Sequence, residues 1–335
     1  MEPQLTVAVL GAGTMGRVHA LGYRSLPYVR LALICDVNEQ AARKLAEEVE
    51  AGWCTDPQEV WKREEIQAVS ICTPDQLHLE PTLAAVASGK AILLEKPLAT
   101  RVEEAEQIVR AAREAGLLLL PGHVLRFDTR CYLARQSIRE GKIGQIQSIY
   151  TRRAGRRSVA RYLAGRVSLP FFLGVHDYDL MCWWTGAHVV SVSAEVCYGS
   201  LQEEGLSVAD ACSALLRFSD GTLGTAEQNW IVPQGYLGYD MRADLAGSKG
   251  SLHISFQDQG LLWATETGTI AVDTRWLPRM RGTLVGMYAE EIRHFVHCAL
   301  GWAEPAMTPE EGLEAVRIAA AVEEAARAGQ PAHLP

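Results

Sequence analysis

The turn Gly11-Ala12-Gly13-Thr14-Met15-Gly16 follows the apolar run Thr6-Val7-Ala8-Val9-Leu10 without a break. Few folds accommodate a strand that ends in such a turn and opens into a helix. Gly11 permits the tight turn, Gly13 lets the backbone approach a pyrophosphate, and Gly16 lets the helix pack closely on the strand. Thr14 and Met15 stand at the helix start, where free N–H groups and the positive dipole end face an anion. Asp36 closes the next apolar run, about 20 residues beyond Gly16, where a carboxylate grips an adenosine ribose diol. The expected cofactor is NAD, with NADP as the alternative. Asp36 would repel a ribose 2′-phosphate, and neither Val37 nor Asn38 offers it a positive charge.

The first 122 residues alternate strand and helix signals. Apolar runs at Leu5–Leu10, Leu31–Cys35, Ala68–Cys72, Ala91–Leu94 and Leu117–Leu120 are separated by amphipathic segments. This βαβα rhythm predicts an α/β unit: a doubly wound parallel Rossmann sheet over residues 1–122. After Pro121-Gly122 the pattern changes to strand alternation. Residues 123–335 are predicted to form an α+β domain with an open, mostly antiparallel sheet that binds substrate and builds an oligomer. Arg152-Arg153 and Arg156-Arg157 make the densest basic cluster, which reads as a solvated loop more readily than as an anion grip.

Lys96 ends the fourth apolar run, in Glu95-Lys96-Pro97. Strand ends of a Rossmann sheet line the edge where the dinucleotide lies, so Lys96 is a candidate for moving a substrate proton. A lysine beside another cation and partly desolvated releases its proton more readily, which suits acid–base work. A surface lysine paired with Glu95 is the competing reading.

These residues belong to a longer set: Ile71-Cys72-Thr73-Pro74 with His78, Gly89-Lys90, Arg126-Phe127, Gly174-Val175-His176-Asp177-Tyr178-Asp179, and Gly247-Ser248-Lys249-Gly250. With them the chain resembles the Gfo/Idh/MocA oxidoreductases, which include inositol dehydrogenases, over essentially its whole length. The resemblance implies NAD(P)-dependent hydride transfer at a secondary alcohol of a sugar or cyclic polyol. It implies Lys96 and His176 as catalytic residues, both contacting the reacting hydroxyl. It adds Thr73, Pro74, His78, Glu95 and Lys96 to the cofactor site, and places Arg126, Asp179 and Tyr239 on the substrate. Many members carry an aspartate four residues before the histidine; here that position is Phe172. Three readings follow: Asp177 or Asp179 substitutes, the substrate presents an apolar face, or the chain is not a dehydrogenase. Two alternatives to a dehydrogenase are therefore kept: glycoside cleavage through transient oxidation, and a non-catalytic NAD-binding sensor.

A net charge of −8 without long blocks of one sign argues against a nucleic-acid partner. No apolar stretch is long enough to span a bilayer, and the chain reaches a strand too early for a signal peptide. Eight cysteines without a CxxC pair point to no metal site and to a reducing cytoplasm. An open sheet with one apolar face predicts a homodimer or homotetramer.

Overall fold

The computed structural model describes residues 4–233, 236, 240–257, 260–266 and 268–335. The chain forms two compact units. One comprises residues 1–127 and 275–313, the other 128–274 and 314–335. The units therefore do not follow a single cut at 122/123: a late segment returns to the first.

In the first unit, β1 (Leu5–Leu10), α1 (Thr14–Arg24), β2 (Val29–Cys35), α2 (Glu39–Val49), β3 (Gly52–Cys54), α3 (Gln58–Trp61), β4 (Ala68–Ile71), α4 (Leu79–Ala87), β5 (Ala91–Glu95), α5 (Val102–Glu114) and β6 (Leu119–Gly122) alternate as expected. The six strands pair in parallel in the order β3-β2-β1-β4-β5-β6. The order reverses at β1, so the crevice beyond the ends of β1 and β4 is the natural ligand site of the sheet. The last strand begins at Leu119 rather than Leu117 and runs through Pro121-Gly122.

The second unit contains α6 (Thr129–Arg139), β7 (Ile146–Arg156), α7 (Arg157–Leu163), α8 (Val175–Thr185), β8 (Val189–Cys197), α9 (Ser200–Glu203), β9 (Ala211–Phe218), β10 (Leu223–Val232), β11 (Met241–Gly247), β12 (Gly250–Ser255) and the exposed hairpin β13 (Leu262–Thr265) and β14 (Gly268–Ala271). Two short strands, β15 (Arg279–Met280) and β16 (Thr283–Leu284), and helix α10 (Met287–Ala299) then belong to the first unit. Helix α11 (Pro309–Ala328) and β17 (Ala332–His333) end the chain. The second sheet has the order β12-β11-β7-β10-β9-β8-β17. All its pairings are antiparallel except β7 with β10. The alternation of β9, buried at every second residue, gives it one covered and one open face. Over the covered face, α8 brings Met181 close to Gly224, where an added Cβ would lie 3.1 Å from its sulfur.

Helix α10 completes the core of the first unit. Ile292, Phe295 and Val296 join Val7, Val9, Ala20 and Tyr23 in one apolar cluster. A Cβ at Gly22 would lie 2.3 Å from Ile292 Cδ1, so glycine is what allows α1 and α10 this approach.

Candidate active site

The glycine turn has the geometry its residues predict. Gly11 has φ +92°, and an added Cβ would lie 2.4 Å from Cys72 O, so the turn is pressed against the end of β4. A Cβ on Gly16 would lie 1.7 Å from Gly11 O. Gly13 differs: nothing stands within 4 Å of the position its Cβ would take. The space is open on the side where a pyrophosphate would approach. No side chain caps α1 and no acidic residue occupies its first turn, so its N-terminal N–H groups are available to an anion. Asp36 is tied to this loop. Its Oδ2 accepts from Ala12 N–H at 2.7 Å and its Oδ1 from Asn38 N–H at 2.8 Å. The residues fit a dinucleotide with an unphosphorylated adenosine ribose.

Beneath this edge lies a buried polar chain. Tyr23 Oη meets Ser70 Oγ at 2.6 Å, and Ser70 Oγ meets His19 Nδ1 at 2.9 Å. His19 Nε2 faces Glu95 Oε1 at 3.1 Å, and Glu95 Oε2 accepts the Lys96 N–H at 3.1 Å. Burial acts to raise the Glu95 carboxyl, but His19 and Lys96 outweigh it and hold it below the ordinary glutamate range. Glu291, fully buried on α10, shows the opposite balance. Desolvation, with Glu95 adding to it, pushes its carboxyl well up, and neither of its oxygens has a hydrogen-bond partner among the described residues. The two carboxyls are thus pushed in opposite directions.

Lys96 itself is partly exposed, and the peptide joining it to Pro97 is cis. Thr73 Oγ1 donates to Leu77 O at 3.2 Å, while Pro74 is exposed. His78, expected at the cofactor, is fully buried, with Nδ1 2.8 Å from Pro97 O and Nε2 3.0 Å from Thr73 O. Its ring therefore acts on the loops around it. Glu95, likewise expected at the cofactor, is 6% exposed and spends both oxygens on protein partners. Lys90 of the Gly-Lys pair is also buried, its ammonium donating to Arg63 O and Ile66 O at 2.9 and 2.8 Å.

Arg126, expected on the substrate, follows β6 directly. It is 4% exposed and donates to Ala306 O at 3.1 Å and Glu311 Oε1 at 3.0 Å. This arrangement assigns it to holding the α10–α11 connection within the first unit. The signal was ambiguous in sequence, because nothing local announces Glu311.

In the second unit, His176 lies in the first turn of α8 and is partly exposed. Its neighbour Asp177 is buried and bound by Arg153 through two contacts, 2.7 and 3.1 Å. Burial raises the Asp177 carboxyl more than the guanidinium lowers it. Asp177 is thus occupied by Arg153, and Asp179 is buried as well. Phe172 packs its ring against Trp230, centroids 5.7 Å apart. The basic cluster is neutralised from several sides. Arg152 pairs with Glu227 and Asp240, Arg153 with Asp177, and Arg157 approaches Glu204. Trp184 is core, its Nε1 donating to Cys131 O at 3.2 Å. Tyr239 lies outside the described residues. Among the described residues, no cluster of three or more His, Cys, Asp or Glu could hold a metal ion.

A parallel sheet with a glycine turn, a ribose-side acid and a strand-end lysine defines a dinucleotide-dependent oxidoreductase. The chain belongs to the Gfo/Idh/MocA family: residues 5–123 match the oxidoreductase family's NAD-binding Rossmann fold and residues 132–253 match its C-terminal domain. It is 29% identical over 344 residues to scyllo-inositol 2-dehydrogenase (NAD(+)) of Bacillus subtilis (strain 168), covering 100% of this chain and 97% of the relative. It is 27% identical over 329 residues to myo-inositol 2-dehydrogenase of Thermotoga maritima, covering 94% of each. Its fold is shared with scyllo-inositol dehydrogenase from Lactobacillus casei, solved with NAD(H) and scyllo-inositol, at a TM-score of 0.85, 22% identity and 98% of both chains.

Proposed function

We propose that this protein is an NAD-dependent dehydrogenase acting on a secondary alcohol of a cyclic polyol or sugar, of the inositol type. One observation carries the reading. Gly11, Asp36, Thr73 and Lys96 follow β1, β2, β4 and β5, so all four emerge at one edge of a single parallel sheet. When bound there, the nicotinamide supplies the hydride acceptor. Gly13 and the start of α1 bind the pyrophosphate and Asp36 orients the ribose. Lys96 takes the hydroxyl proton as the alcohol is oxidised and returns it in the reverse direction, and His176 is the second proposed catalytic residue. Relatives named for scyllo- and myo-inositol support this substrate class. Arg126, Asp179 and Tyr239 complete the proposed substrate residues.

The test is incubation of purified protein with NAD and a panel of inositols and sugars. NADH absorbance with at least one of them is expected. Absence of turnover across the panel with NAD binding intact would favour the sensor reading, and glycone release without net NADH would favour glycoside cleavage.

The protein is further proposed to work in the cytoplasm as a homodimer or homotetramer. All eight cysteines are free thiols, and no described helix is long and apolar enough to cross a membrane. The second sheet exposes Leu215, Leu223 and Ile231, apolar side chains that a second copy would cover. Sedimentation showing only monomer at micromolar concentration would refute the oligomer.

A further inference from the structure

Both ring nitrogens of His78 stand at hydrogen-bond distance from carbonyl oxygens, Pro97 O at 2.8 Å and Thr73 O at 3.0 Å. A carbonyl only accepts, and a neutral imidazole has a single N–H to give. In either neutral tautomer one nitrogen lone pair would point at an oxygen lone pair, in a place with no solvent exposure. An unmade hydrogen bond between buried polar groups is costly. The doubly protonated ring satisfies both carbonyls. Its backbone is held too, since His78 O accepts from Thr82 Oγ1 at 2.6 Å and Thr82 N–H at 3.2 Å. The same unit already buries a cation in this manner, with Lys90 held by two carbonyl oxygens.

We infer that His78 is an imidazolium that clasps the Thr73 loop to the Lys96 loop, and that it is a positioning residue for Lys96. The clasp begins where the ladder stops. Strands β4 and β5 pair as far as Ile71 with Leu94; β4 ends there, and β5 runs one residue further, pairing Glu95 with Gly122 of β6. Lys96 is then flanked by two anchors. Glu95 accepts its N–H, and His78 holds the carbonyl of the next residue. The positive end of α4 opposes a cation at this position. The two charge-assisted bonds are what carry the assignment. The role toward Lys96 rests on the dehydrogenase reading; the charge state does not.

Two measurements test this. The full chain, labelled with nitrogen-15 histidine, is examined by long-range proton–nitrogen NMR at about pH 7.5, where an ordinary histidine is mostly neutral. His78, one of nine histidines, is identified by its loss in His78→Gln and independently in His78→Asn. Two protonated ring nitrogens are expected; one unprotonated nitrogen would overturn the inference. This spectrum needs neither cofactor nor substrate, so it remains decisive if the dehydrogenase reading fails. In the second measurement, both variants are expected to lower kcat by about 10- to 100-fold. NAD affinity should fall by less than kcat, because the glycine turn and Asp36 are untouched and only the Thr73 loop is loosened. Parallel loss of NAD affinity and kcat, or an unchanged kcat, would overturn the positioning role.

Discussion

Glu95 holds Lys96 by its main chain, accepting the lysine N–H at 3.1 Å while its second oxygen faces His19 at 3.1 Å. The carboxylate next to the proposed proton carrier is thus fully engaged inside the fold. Its bonds fix the main chain at the lysine. Glu95→Gln should weaken two charge-assisted contacts and lower unfolding stability by about 1–3 kcal/mol. Chemical denaturation of both proteins checks this.

Lys96→Met keeps the aliphatic stem and removes the proton carrier. Its kcat is expected to fall about 10²- to 10⁴-fold with NAD binding retained. Steady-state kinetics with cofactor fluorescence titration separates the two quantities.

Two glycine substitutions should part company. Gly13→Ala adds a methyl to open space, so stability should change by no more than about 0.5 kcal/mol. NAD affinity should nonetheless drop on the order of tenfold, because that space is where a pyrophosphate would approach. Gly16→Ala drives a methyl into Gly11 O and should cost about 1–3 kcal/mol or more before any cofactor is added. Melting curves with and without NAD check both.

Glu291 gives a pH signature. Desolvation and the neighbouring Glu95 raise its carboxyl in the folded state, so the native protein binds the proton more tightly than the unfolded chain does. Stability from this group is therefore greatest below the ordinary glutamate range and declines as pH rises above it toward the folded value. Glu291→Gln should flatten the fall in melting temperature as pH rises above the ordinary glutamate range. An unchanged slope would refute the assignment.

The Arg153–Asp177 pair sits beside His176 and is 3% and 2% exposed. Arg153→Met alone strands a buried carboxylate and should cost about 3–5 kcal/mol. Adding Asp177→Leu should recover part of that loss, giving a non-additive double-mutant cycle in denaturant unfolding.

Much of this was legible in the sequence, for physical reasons. Binding a pyrophosphate demands Gly11, Gly13 and Gly16 at fixed spacing after a strand, so the turn announces itself. The period-two alternation at Ala211–Phe218 gave that strand its observed bounds. What stayed hidden was set by distant partners. Arg126 finds Glu311 and Arg153 finds Asp177 only after folding, and no local pattern marks either. Arg156-Arg157 reads as a basic loop, yet Arg156 ends β7 and Arg157 opens α7. His78 carried a motif signal, but its two carbonyl partners belong to the backbone, which sequence chemistry does not distinguish.

The return of residues 275–313 to the first unit has a consequence for how the protein is made. A ribosome that has delivered all six strands of the parallel sheet has not delivered Ile292, Phe295, Val296 or Met307. Until they emerge, Ala20 and Tyr23 on α1 lack part of their covering, and the nascent sheet waits through more than a hundred residues of the other unit. Such sequence-distant closure slows folding and leaves apolar surface open in the meantime. An expression fragment ending near residue 122 should accordingly aggregate, whereas one that appends the 275–313 segment through a linker should be soluble.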